Sequence, residues 1–142
     1  MTERLYTGEA TAEGPRTGRA HSDDGRLDVE LSRPGAMGGD DGPGTNPEQL
    51  FAAGWAACFS SAMRHVLQPL GLRPDALADC RVTARVHLDK SGPTEFDLAV
   101  DLLTSLPALS REQAQQVVEA THEVCPYSRA TRGNVQVTLS VV

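Results

Sequence analysis

Along this chain the hydrophobic positions follow two periods, and the switches between them mark the elements. Period two comes first. Leu5 to Ala12 and Arg19 to His21 read as short strands, Asp24-Gly25 is a hairpin turn signal, and Leu27, Val29 and Leu31 then alternate with charged residues. Pro34 to Gly44 is a Gly/Asp/Pro loop. A helix follows, with Asn46 at the N-cap, Pro47 at the first helical position and Gln49 where a capping box places its reciprocal side chain. Its pattern runs to about Leu67, ahead of Pro69 and Gly71. Period two returns in Val82-Ala84-Val86-Leu88 and in Phe96-Leu98-Val100-Leu102, with a turn at Ser91-Gly92-Pro93 between them. A second capping box, Ser110 and Gln113, opens a helix carrying Ala114, Val117, Val118, Thr121 and Val124 on one face, and Pro126 stops it. Gly133-Asn134 leads into a last strand with Val135, Val137, Leu139 and Val141 facing one way. The predicted order is β-β-β-α-β-β-α-β, an α+β domain spanning residues 1–142 without internal repeats.

The first helix departs from the usual amphipathic pattern. From Leu50 to Phe59 it carries no polar residue on any face. A helix apolar all round must be covered all round. One small sheet covers one side only, so a second subunit is expected on the other, and the chain is expected to form a homodimer.

Composition narrows the class. A chain of 142 residues buries about 70% of its unfolded surface as a single domain. Thirteen basic against nineteen acidic residues give a net charge of −6, and the basic residues are arginines apart from Lys90. Such a chain has no electrostatic attraction for nucleic acid or anionic lipid. The opening residues lack a signal-peptide core, and the apolar run Leu50–Phe59 is half of a bilayer span. Three cysteines do not make a disulfide framework. A cytoplasmic protein is expected, in which any disulfide is transient.

The candidate chemistry lies in the thiols. Cys58 sits midway along the apolar helix, and Cys125 ends the second helix just before Pro126. A free cysteine in such a setting is most often a small core hydrophobe, and Cys80 keeps that reading. For Cys58, two charged residues compete with it. Glu48 stands on the same helix, roughly two to three turns earlier, and Arg16 lies in an early loop between Pro15 and Gly18. An arginine held by that carboxylate could stabilise a thiolate. The spacing is equally compatible with a surface arginine and a glutamate that compensates the helix dipole. The four histidines, at 21, 65, 87 and 122, lack metal-ligand spacing, and nothing orients any of them for a Cys-His hydrolase. The glycines of the 34–44 loop lack a following Lys-Ser or Lys-Thr, and Asp40 and Asp41 would repel a phosphate.

Three motifs together resemble one family. The stretch Gly44-Thr45-Asn46-Pro47-Glu48-Gln49-Leu50-Phe51-Ala52-Ala53-Gly54-Trp55-Ala56-Ala57-Cys58-Phe59 resembles the peroxidatic-cysteine helix of the organic hydroperoxide resistance proteins, a branch of the OsmC-like superfamily. Val124 to Asn134 resembles that branch's second-cysteine motif, and Gly14 to Ala20 its arginine loop. Trp55 departs from the tyrosine common there. The resemblance implies an OsmC-like fold, with two central helices wrapped by antiparallel sheet in an intertwined homodimer. It implies Cys58 as peroxidatic thiol, Cys125 as resolving thiol, Arg16 as the group stabilising the thiolate and Glu48 as its salt-bridge partner. It also implies a dihydrolipoyl group of a lipoylated protein as reductant, with no bound cofactor or metal. Phe51, Trp55, Phe59 and Met63 are candidates to line an apolar pocket for alkyl or fatty-acid hydroperoxides, or else simple core residues. Two rival readings stand beside this one: an OsmC-type peroxidase of broader substrate range, and a non-catalytic redox-sensing or hydrophobe-binding dimer.

Overall fold

The Asp24-Gly25 signal does close a hairpin. Gly25 takes φ 74°, and the Ser22 N–H donates to the Leu27 carbonyl at 2.8 Å across the turn. The Asp24 carboxylate secures it, accepting from the Ser22 hydroxyl at 2.6 Å and the Arg26 N–H at 3.0 Å. This computed structural model describes all 142 residues, in two units: Met1–Leu50 and Phe51–Val142.

The first unit is an antiparallel meander of β1 (Ala10–Glu13), β2 (Arg19–Ser22) and β3 (Asp28–Glu30), in that spatial order. β1 is shorter than its pattern. β2 reaches only Ser22 before the turn, so the residues ahead of Glu9 have no strand to pair with, and Leu5 and Tyr6 are exposed. Leu31, expected in β3, instead makes an isolated parallel bridge to Thr45 and is buried. That bridge closes the 34–44 loop, which contains one short 3₁₀ turn, Gly35–Met37.

Helix α1 (Pro47–Met63) starts at the foot of the first unit and continues into the second. Asn46 caps it as predicted, its Oδ1 accepting from the Gln49 N–H at 2.9 Å. The reciprocal arm is absent, because the Gln49 side chain takes the Thr45 hydroxyl at 2.7 Å. The helix also ends a turn earlier than Leu67. The N–H groups of His65 and Val66 bond three residues back, to Ala62 at 3.0 Å and Met63 at 3.2 Å. Pro69, which has no N–H and whose ring would strike the carbonyl of residue 65, accounts for the tightening.

In the second unit β4 (Arg81–Lys90) and β5 (Phe96–Ser105) pair antiparallel from Arg81↔Ser105 to Lys90↔Phe96. Helix α2 (Arg111–Val124) has both arms of its capping box, at 3.2 Å and 3.1 Å. Pro126 stops α2 but also starts a helix that the pattern does not predict, α3 (Pro126–Thr131). A proline at the first helical position loses only an N–H that had no partner there. Cys125 is thus the C-cap of one helix and the N-cap of the next. Strand β6 (Gln136–Val141) then pairs parallel to β5, so this sheet is a hairpin extended by one parallel strand. Parallel pairing needs a long crossover, and α2 with α3 supplies it.

Alternate residues of this sheet (Val82, Ala84, Val100, Leu102, Thr104, Leu139) share the face toward the core, where Trp55, Phe59, Met63, Val117 and Val118 are completely buried. The apolar α1 is therefore covered on one side. Ala53, Ala57 and Ser61, at helical spacing, remain exposed. No helix is long and apolar enough to cross a membrane.

Candidate active site

Two elements place the thiols. Trp55, Phe59 and Met63 anchor α1 in the core, which turns Cys58 to the edge of that buried stripe, half-buried. The α2–α3 junction fixes Cys125, which is completely buried. The sulfurs are 3.7 Å apart, and all the cysteines are free thiols. A disulfide needs about 2.05 Å, so the two sulfurs are in contact without a bond between them.

The first turn of α3 also brings the backbone amide of Tyr127 to bear on the Cys58 thiol. Burial, the largest influence, pushes the Cys58 thiol above its ordinary pKa; the Tyr127 N–H pulls it down, and the neighbouring Cys125 pushes it up again. No cation acts on the sulfur from within this set of contacts. Aromatic packing frames the junction: Phe51 meets Trp55 edge-on at 5.6 Å and Tyr127 at 6.2 Å. Gly54 lets Tyr127 approach, since a Cβ there would lie 3.2 Å from its hydroxyl oxygen. The Trp55 indole N–H donates to the Ser128 hydroxyl at 3.3 Å, with both residues fully buried.

A cavity of about 440 Å³ opens on Cys58, lined also by Ser61, Ala62, His65, Val124 and Pro126. The aromatic and Met candidates sit elsewhere. Trp55, Phe59 and Met63 are core side chains with no exposed surface, and only Phe51 is partly open. Ser61, His65 and Val124 carry no sequence signal for this role, since their placement depends on how α1 and α2 are packed. Nor could residue types reveal the Tyr127 amide, a backbone group. Cys80 is half-buried against the core and has no polar role.

In the first unit, Arg16 and Glu48 form a two-pronged ion pair, Nη1–Oε2 at 2.9 Å and Nη2–Oε1 at 2.8 Å. The loop that presents Arg16 is strained. Arg16 itself adopts φ 63°, and at Gly18 a Cβ would fall 1.8 Å from the Glu13 carbonyl oxygen, so no other residue fits there. Glu48, at the second position of α1, is held charged by the guanidinium and lies below the usual carboxylate range despite its partial burial. The guanidinium is raised in turn by the same contact.

The site is therefore a pair of thiols at non-bonded distance, one reachable and one buried, on an α+β scaffold. The sequence model of the OsmC-like protein family matches residues 38–140. An organic hydroperoxide resistance protein of Xanthomonas axonopodis pv. citri is 45% identical over 142 residues, covering 96% of this chain and 94% of its own. The crystal structure of an organic hydroperoxide resistance protein from Legionella pneumophila superposes with a TM-score of 0.89 at 45% identity, covering 98% of both chains. One from Vibrio cholerae, solved with captopril bound in one of its active sites, gives 0.87 at 44% identity, over 98% of this chain and 93% of that one. The chain belongs to the OsmC-like family, among its organic hydroperoxide resistance proteins, and its role lies in peroxide detoxification.

Proposed function

We propose that this protein is a thiol peroxidase that reduces organic hydroperoxides to alcohols. The observation that carries the reading is the 3.7 Å separation of a half-open Cys58 and a buried Cys125. The Cys58 thiolate attacks the distal peroxide oxygen. The O–O bond breaks, the alkoxide leaves as the alcohol after taking a proton, and Cys58 becomes a sulfenic acid. The Cys125 sulfur then attacks the Cys58 sulfur, the S–S bond forms, and hydroxide departs with the Cys125 proton as water. Exchange with an external dithiol, a dihydrolipoyl group of a lipoylated protein, restores both thiols.

The likeness of Gly14–Ala20 to the family's arginine loop assigns to Arg16 the positive charge that burial of Cys58 demands. Bringing the thiol from about pKa 8.5 to two units lower takes roughly 2.7 kcal/mol, on the scale of a guanidinium contact in a partly dry site. Glu48 orients that guanidinium through the two-pronged pair. The exposed side of α1 and the family's shared fold support an intertwined homodimer in which residues 1–142 act as one domain, and the family match across 38–140 bridges both units. Three cysteines, too few for a disulfide framework, support a cytoplasmic setting.

The cavity beside Cys58, with Ala62, Val124 and Pro126 in its wall, supports alkyl and fatty-acid hydroperoxides as substrates. With dihydrolipoamide as reductant, cumene or t-butyl hydroperoxide should exceed hydrogen peroxide in kcat/KM by about tenfold or more, some 1.4 kcal/mol of discrimination. Equal activity on hydrogen peroxide removes the substrate assignment. A single stoichiometric oxidation without turnover favours a sensor instead.

A further inference from the structure

We propose that the buried Trp55–Ser128 hydrogen bond is the positioning element of the thiol pair: it holds α3, and with it the Cys125 sulfur, against Cys58. The inference rests on the peroxidase reading above and assigns the device that protects it from over-oxidation.

Helix α3 needs such an anchor. It is six residues long, too short to persist without tertiary contacts. Its only buried residue is Ser128, a polar one, and the hydroxyl of Ser128 meets the Trp55 indole N–H at 3.3 Å. The spacing ties this contact to the chemistry. Trp55 lies three residues before Cys58 on α1, and Ser128 lies three residues after Cys125 across the first turn of α3. Two cross-links therefore join the same pair of segments one turn apart, the hydrogen bond at 3.3 Å and the thiol contact at 3.7 Å. Tyr127, between them, is the residue whose backbone amide pulls the Cys58 thiol down. The Trp55 indole has one donor and no acceptor, so Ser128 is the partner that satisfies it in a site closed to water.

Timing makes this placement matter. The Cys58 sulfenic acid faces two competing reactions. Attack by Cys125 forms the disulfide and releases water; attack on a second hydroperoxide transfers another oxygen, releasing alcohol and leaving sulfinic acid. The first is intramolecular, and its rate depends steeply on keeping the sulfurs near bonding distance, where a misplacement of about 1 Å can cost on the order of a hundredfold. The second is bimolecular and gains nothing from α3.

The experiment titrates the full-length protein with cumene hydroperoxide during turnover with dihydrolipoamide and reads, by intact mass, the peroxide concentration at which half of Cys58 becomes sulfinic acid. Ser128→Ala and Trp55→Phe are expected to lower that concentration about tenfold, and to move Cys58 alkylation to higher pH as the Tyr127 N–H loosens. Ser128→Thr, which keeps the hydroxyl, should restore most of the resistance. Trp55→Phe/Ser128→Ala removes both polar partners together, so its thermal stability should recover toward wild type while its sensitivity to over-oxidation persists. Wild-type resistance in both single variants overturns the proposal. So does a double variant whose resistance recovers in step with its stability, because packing alone would then explain the effect. A wild-type protein that forms no Cys58–Cys125 disulfide with hydroperoxide instead defeats the underlying peroxidase reading.

Discussion

At the scale of single residues, Cys58 and Cys125 are chemically alike and differ only in where the fold puts them. Burial holds Cys125 out of reach and leaves Cys58 half-open on a cavity. Cys58→Ser should therefore abolish hydroperoxide consumption, whereas Cys125→Ser should release one equivalent of alcohol and then accumulate sulfenic and sulfinic acid, both read by intact mass. The charged pair makes a second expectation. With burial pushing the Cys58 thiol up and only the Tyr127 N–H opposing it nearby, Arg16→Ala should shift Cys58 alkylation to higher pH and slow peroxide reduction by about a hundredfold. Glu48→Gln should act the same way but more weakly, by about tenfold, since it only orients the arginine. The pH dependence follows from the Glu48 shift. Its pKa in the folded protein is lowered, so the ion pair's contribution is fully present above the ordinary value of about 4.3 and is lost as pH falls through the lower folded value. The Arg16 loop should stay clamped at pH 5 and loosen only under stronger acid, as hydrogen exchange of the Gly14–Gly18 amides would report.

At the scale of elements, the two turns that carry chemistry are built by residues with few substitutes. The Arg16 loop closes because Gly18 brings its backbone against the Glu13 carbonyl at a distance no Cβ allows. Gly18→Ala should displace β1 from β2 and cost activity comparably to losing Arg16 itself, detectable as a loss of peroxidase rate with α2 and β4–β6 intact by circular dichroism. The ends of the helices show what local chemistry can and cannot predict. Ser110 and Gln113 form their reciprocal box because both side chains are free to do so. Gln49 does not complete its box because the Thr45 hydroxyl competes for the same oxygen. Pro126 illustrates an ambiguity of another kind, being a stop signal for α2 and an N-terminal residue for α3, and the sequence pattern around it expresses only the first.

At the scale of the whole molecule, the exposed side of α1 is the surface that a second subunit would cover. Ala53 and Ala57 are small, apolar and uncovered on a helix that has no polar residue from Leu50 to Phe59. Apolar surface of this kind is costly to leave in water. Sedimentation should give twice the chain mass, and Ala53→Glu, which sets a charge on that side, should return the protein toward the single-chain mass with lower thermal stability.

The elements whose information is local are legible in the sequence: the alternating strands β4, β5 and β6, the caps at Asn46 and Ser110, the Asp24-Gly25 turn, and the motifs around Cys58 and Cys125. Each depends on neighbours a few residues away, and periodicity records those. The tertiary structure alone decides what depends on contacts between distant segments. It trims β1 for want of a partner and makes β6 parallel to β5 through a helical crossover. It also sends Trp55, Phe59 and Met63 into the core while Ser61, His65 and Val124 line the cavity. The meeting of Cys58 with Cys125, across 67 positions of sequence, and the influence of the Tyr127 amide on Cys58 belong to the same group. Residue identity states which groups can react; the distance between them is a property of the packing, because it is set by side chains and backbone atoms whose positions no local pattern encodes.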